Sequence, residues 1–116
     1  MRRGRLEDLD LPADVRAAVA EFIERLGHAH VEAVVLYGSA ARGEYGPESD
    51  VDLLVFWDGA ESAARDLLAE ASCDVLDHHG VLVNAFPMDG PHRRRIAVMD
   101  TRFHRAVQEE GILVER

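Results

Sequence analysis

Asp50 and Asp52 stand two positions apart, directly ahead of Leu53-Leu54-Val55. In a strand the side chains alternate with period two, so both carboxylates leave the same face. Hard oxygens paired in this way suit Mg²⁺, which binds through one or two carboxylates together with substrate phosphates. A short loop earlier stand Gly38 and Ser39. Glycine lets backbone approach an anion with no Cβ in the way, Ser39 adds a hydroxyl, and a helix starting there adds N–H groups without intrahelical partners. Arg42, one turn on, is spaced to reach a phosphate as a charge-assisted donor, and Ser49 to brace the loop beside Asp50. Taken singly, each has a plain structural use: acids in a turn, a serine N-cap, an arginine paired with Glu44 or Glu48. Their combination describes a site for a metal-chelated nucleoside triphosphate.

These side chains need elements to hold them. Ala33 to Tyr37 is a short apolar run rich in strand formers, ended by Gly38-Ser39 and followed by a short helix from Ala40. Gly43, Gly46 and Pro47 mark a loop, and Val51 to Trp57 is a second strand, apolar after Asp52 and so buried on both faces. Ahead of them, Val15, Ala18, Val19, Phe22, Ile23 and Leu26 recur with helical period, with Pro12 and Asp14 in the first turn and Gly27 as the stop. A second amphipathic helix, opened at Gly59, carries Ala64, Leu67, Leu68, Ala71 and Val75 to Gly80. Val81 to Phe86 reads as a third strand, residues 88–95 as a polar, Arg-rich loop, Met99 to Glu110 as a final helix, and Ile112 to Val114 as a last short strand. Residues 1–10 read as a loosely held arm and 11–116 as a single domain. The order implies a small mixed α/β (α+β) domain, with helices packed on a sheet.

Composition narrows the classes. The chain has 116 residues, 47% hydrophobic and 30% charged, the balance of an ordinary globular protein. No apolar run approaches the length of a membrane span, and the single cysteine, Cys73, has no internal partner, so we expect a cytoplasmic protein with no membrane contact. Cys73 itself reads as a small packed hydrophobe. A formal net charge of −9 disfavours a broad grip on nucleic acid, including an RNA substrate. All 13 basic residues are arginine, which excludes a P-loop lysine and a Schiff base. The six histidines lack zinc-site spacing, and Arg93-Arg94-Arg95 reads as a solvated charge run. Tyr37 and Trp57 flank the site strands; Tyr37 reads as core, while Trp57 is open between core and a base pocket.

Gly-Ser-x-x-Arg-Gly, then Ser-Asp-x-Asp-Leu-Leu-Val, with a strand on each side, resembles the DNA polymerase β-type nucleotidyltransferase superfamily, and within it the minimal nucleotidyltransferases (MNT proteins) of bacteria and archaea. The specific match spans residues 34–56, with weaker likeness over 81–86 and from Phe103 to Val114. The resemblance implies that Gly38 and Ser39 hold the triphosphate, that Asp50 and Asp52 bind Mg²⁺, and that a nucleoside monophosphate, AMP from ATP, passes to an acceptor hydroxyl with release of pyrophosphate. It also implies a partner, because many minimal members are the antitoxin of a HEPN-domain toxin, and some are similar enough to suggest adenylylation of a HEPN tyrosine. No second domain shapes an acceptor pocket, so another chain would present the acceptor; a homo- or hetero-oligomer is left open.

One departure stands out. Catalytic members of that superfamily carry a third carboxylate on a neighbouring strand. The strand expected to supply it runs from Val81 to Phe86, and its only polar residue is Asn84. An amide offers a metal one neutral oxygen but accepts no proton usefully. Asp89 lies just beyond and is the other candidate for a third ligand, while Asp74 and Asp77 read as solvated. This departure keeps a second reading open: a catalytically weak or inactive binding module that neutralises its HEPN partner by contact.

Overall fold

Val34-Val35-Leu36 and Leu53-Leu54-Val55 are buried on both faces, and they form the central antiparallel pair of one sheet. The computed structural model describes residues 1–115. Along the chain lie β1 (Arg2–Arg5), a 3-10 turn (Leu6–Asp8), α1 (Ala13–Leu26), β2 (Val31–Tyr37), α2 (Gly38–Ala41) and β3 (Val51–Trp57). Then come α3 (Glu61–His79), β4 (Val83–Met88), α4 (Gly90–Met99), α5 (Arg102–Glu110) and β5 (Ile112–Glu115). The five-stranded sheet runs in the order β1-β5-β2-β3-β4. β3 pairs antiparallel with β2 and parallel with β4, while β5 pairs antiparallel with β2 and parallel with β1. This is the mixed sheet flanked by helices that the element order implied.

α1 and α3 cover one face. Val15, Val19 and Phe22 from α1 and Ala64, Leu68 and Val75 from α3 share a single core with Val34, Leu36, Leu53 and Val55. Gly80, left-handed at φ 67°, ends α3 and accepts no side chain without strain, which turns the chain into β4. On the other face Val35, Leu54, Phe56 and Met88 meet Val107 of α5, with Ile96 of α4 packed against them. Arg93 lays its guanidinium 3.6 Å from the Phe56 ring centroid, completing that cover. Cover is lost toward the start of β3, where Asn84 and Phe86 of β4 stay exposed.

Several expectations are corrected. Residues 1–10 are not a loose arm: β1 pairs along its whole length with β5, and Leu6 and Leu9 pack against the core. That pairing uses backbone groups, so no apolar pattern announces it. The Arg-rich stretch 88–95 is not a loop. Its first residue, Met88, closes β4, and the rest leads into α4, whose N-cap is Asp89, with Pro91 in the first turn. The final helix starts at Arg102 rather than Met99: Met99 ends α4, Asp100 turns left-handed (φ 49°), and Thr101 caps α5 by accepting from the His104 N–H at 3.0 Å. Cys73 is exposed on α3 rather than packed. Asp74 pairs with Arg25 of α1 at 2.8 Å. No helix among the described residues is long and apolar enough to cross a membrane.

Candidate active site

The site lies where β2, β3 and β4 align. Asp52 is opposite Tyr37 on β2 and opposite Asn84 on β4. All three share the sheet face that α4 and α5 leave uncovered at this end. The Asn84 side-chain amide donates to Asp52 Oδ1 at 3.3 Å. Asp50 precedes the first residue of β3 and is exposed. Burial raises the pKa of Asp52, and the neighbouring charge of Asp50 raises it further, against the Asn84 hydrogen bond and Arg42, which lower it. Two carboxylates held so close carry an electrostatic cost that a cation would offset.

Gly38 turns the chain from β2 into α2 with φ 73°, a conformation that side chains disfavour. A Cβ at this position would run into the Asp52 carboxylate. Backbone and acid therefore meet with no side chain between them, a close approach that would let a cation on Asp52 bridge to a phosphate at the turn. α2 is a single turn of four residues, so its dipole is small. What it offers is its first N–H groups, which have no partner within the turn, and its N-cap residue, Tyr37, supplies no side-chain cap. Ser39 stands at the same turn, half-buried.

Arg42 follows α2 but is already engaged, with Glu44 at 3.0 Å and with Glu110 of α5 at 3.2 Å. It would have to exchange a carboxylate for a phosphate. Ser49 accepts from the Gly46 N–H at 3.0 Å and so braces the loop before Asp50. Tyr37 is half-buried beside Asp52 with its ring edge-on to Phe103 at 5.4 Å; burial, with the charge of Asp52, pushes its pKa to about 12. It stays a neutral phenol.

Asp89 does not fold back to the site. Its carboxylate accepts from the His92 N–H at 2.8 Å as the α4 N-cap, and it follows Met88, the residue paired with Phe56 at the far end of β3. It lies five positions beyond Asn84, about 16 Å at ~3.3 Å per residue of extended chain. Trp57, the last residue of β3, is equally remote; it is buried against the core and stacked on His30 at 5.2 Å, so it lines no base pocket beside Asp52. Among the described residues, no third His, Cys, Asp or Glu joins Asp50 and Asp52 in a metal-holding group. The donor set is thus two carboxylates with Asn84 across from them, and its oxygen chemistry fits a hard divalent cation. The contacts of Tyr37 with Phe103 and of Arg42 with Glu110 were missed from the sequence, since both depend on how α5 docks.

A glycine turn against the Asp52 carboxylate, with Asp50 just ahead of the strand and an open sheet face beside them, is chemically suited to metal-assisted phosphoryl transfer. The family model described as a nucleotidyltransferase domain matches residues 16–113. A protein of Methanocaldococcus jannaschii, named "Putative protein adenylyltransferase MJ0604", is 32% identical over 98 residues, 81% of this chain and 91% of that protein. A crystal structure titled as a "putative nucleotidyltransferase" from Sulfolobus solfataricus shares the fold, with a TM-score of 0.50 at 19% identity, covering 97% of this chain and 89% of that one. The chain belongs to the nucleotidyltransferase domain family and is an enzyme of that type.

Proposed function

We propose that this domain transfers AMP from Mg²⁺-bound ATP to a hydroxyl of a partner protein, a HEPN-domain toxin, and so acts as an antitoxin. The observation that carries the reading is the contact between Gly38 and Asp52, which brings an anion-admitting turn against a metal-ligand carboxylate. The name of the Methanocaldococcus jannaschii relative supports a protein acceptor, and the likeness to minimal nucleotidyltransferases supports a HEPN partner.

Asp50 and Asp52 would hold the cation, and the Asn84 amide, which donates its N–H to Asp52 Oδ1, would turn over to offer its oxygen as a neutral third donor. The bound Mg²⁺ supplies charge neutralisation for the triphosphate and for the departing pyrophosphate. Gly38 admits the phosphates, while Ser39 and the first N–H groups of α2 hydrogen-bond them. The acceptor oxygen attacks the α-phosphorus, the bond from that phosphorus to the bridging oxygen breaks, and pyrophosphate leaves. Asn84 takes no proton, so the acceptor proton passes to solvent, which limits the rate.

The same residue favours a second reading, a weak or inactive module that neutralises its partner by contact. The test is to incubate the protein with labelled ATP, magnesium and the product of the adjacent gene. The transferase reading expects label on that product from the parent protein and none from the Asp50→Asn, Asp52→Asn double variant. If the double variant protects cells from the partner as well as the parent does, transfer is not the function.

A further inference from the structure

β4 is an edge strand with one side unpaired. The Val51 N–H donates to the Leu82 carbonyl at 3.0 Å, which turns residues 82, 84 and 86 toward β3. Val83 and Ala85 therefore turn their N–H and C=O groups outward. Pro87, which has no N–H to offer, falls on the same outward side, as proline in an edge strand does. Between this edge and α3 runs a groove of about 290 Å³. Its β4 wall is Val83 to Pro87, and its helix wall includes Arg65, Ala69 and Ser72. The helical period continues that stripe to Leu76. Side chains at positions 69 and 72 are small, so the groove stays open.

Its surroundings are apolar and unpartnered. Leu76 and Leu82 are each 45% exposed and Phe86 is 50% exposed. Asn84 lines the groove and also hydrogen-bonds Asp52, so one end of the groove opens onto the site.

Transfer geometry selects which occupant. In-line displacement sets the attacking oxygen opposite the departing pyrophosphate. Gly38 and Ser39 flank Asp52 on the β2 side, so an acceptor enters from the β4 side. We propose that this groove receives an extended, hydroxyl-bearing segment of the acceptor protein, which pairs with β4 as a sixth strand and delivers its hydroxyl to the Asp52–Asn84 corner. Main-chain pairing gives it affinity, and Leu76, Leu82 and Phe86 select its side chains. The proposal rests on the transferase reading.

The test uses the full-length protein, with the product of the adjacent gene as probe, and Ala69→Arg, which fills the groove from an exposed helix position while keeping helix propensity. Unchanged Mg·ATP calorimetry shows that the variant is folded. Two results are expected: the probe slows hydrogen exchange of the Val83 and Ala85 amides, and Ala69→Arg abolishes that protection while raising the acceptor KM about tenfold or more at similar kcat. Ser72→Arg should repeat the effect. Protection elsewhere, or a parental KM in both variants, overturns the groove and leaves the transferase reading intact. Absence of labelled product with the parent protein sinks that reading instead, and amide protection then decides the groove by itself. If the parent is a dimer that Ala69→Arg dissociates, a second copy fills the groove and the proposal fails.

Discussion

At the scale of single residues, Asn84 decides what this site can do. It faces Asp52 across the parallel β3–β4 pair, where a third carboxylate would complete the metal cluster, and it offers an amide instead. Asn84→Asp should therefore raise the rate of nucleotide transfer by about tenfold or more, part of the 10²–10⁴ that a positioned base contributes. It should also lower the melting temperature in metal-free buffer, because a third charge would join Asp50 and Asp52. Single-turnover transfer and melting curves with and without magnesium check both; an unchanged rate would remove the base from the account. Of this site, the spacing of Asp50 and Asp52 and the Gly38-Ser39 turn were legible in the sequence. The Gly38–Asp52 contact and the Arg42–Glu110 pair were not, because each joins segments far apart in the chain.

At the scale of elements, α4 is held by its first turn. Asp89 accepts from the His92 N–H, while Glu61 of α3 accepts from the Asp89 N–H at 3.0 Å and lies 2.8 Å from His92 Nδ1. Asp89→Ala removes the cap and should cost about 1 kcal/mol of stability. It should leave Mg·ATP affinity unchanged, because Asp89 is remote from Asp52. A matched loss of nucleotide binding would contradict that placement. Burial opposes the charge on Glu61, but the Asp89 N–H, His92 and Arg65 together hold its pKa below the usual 4.5. A carboxylate whose pKa falls on folding stabilises fully above its unfolded value and loses that contribution as pH drops through its folded value. The melting temperature should accordingly decline as pH falls below 4.5, and Glu61→Gln should flatten the decline. The sequence was most legible where burial dictates pattern: Val51–Trp57 and the helix ending at Gly27 have the limits expected of them. It was least legible in α4, where Gly90-Pro91 resembles a loop and Ile96 is the apolar residue that packs inward, and in β1, which joins the sheet through its backbone rather than an apolar pattern.

At the scale of the whole molecule, the sheet divides the work. One face is spent on the core with α1 and α3; the other is covered by α4 and α5 at one end and open at the end that carries Asp52 and Asn84. The chain has a net charge of −9 and the site adds two neighbouring carboxylates, so binding of a divalent cation there also relieves repulsion within the folded chain. A ligand that binds only the native state stabilises it according to its concentration relative to Kd, about 2.7 kcal/mol at a hundredfold excess. Magnesium and ATP together should therefore raise the melting temperature more than either one alone.

The central claim is that Asp50 and Asp52 chelate a cation beside a turn at Gly38 that takes the triphosphate. Titration calorimetry with ATP in the presence and absence of magnesium tests it most directly, on the parent protein and on the Asp50→Asn, Asp52→Asn variant. The account predicts saturable, magnesium-dependent binding to the parent and none to the variant. Equal binding by both proteins, or no heat from the parent, would contradict it.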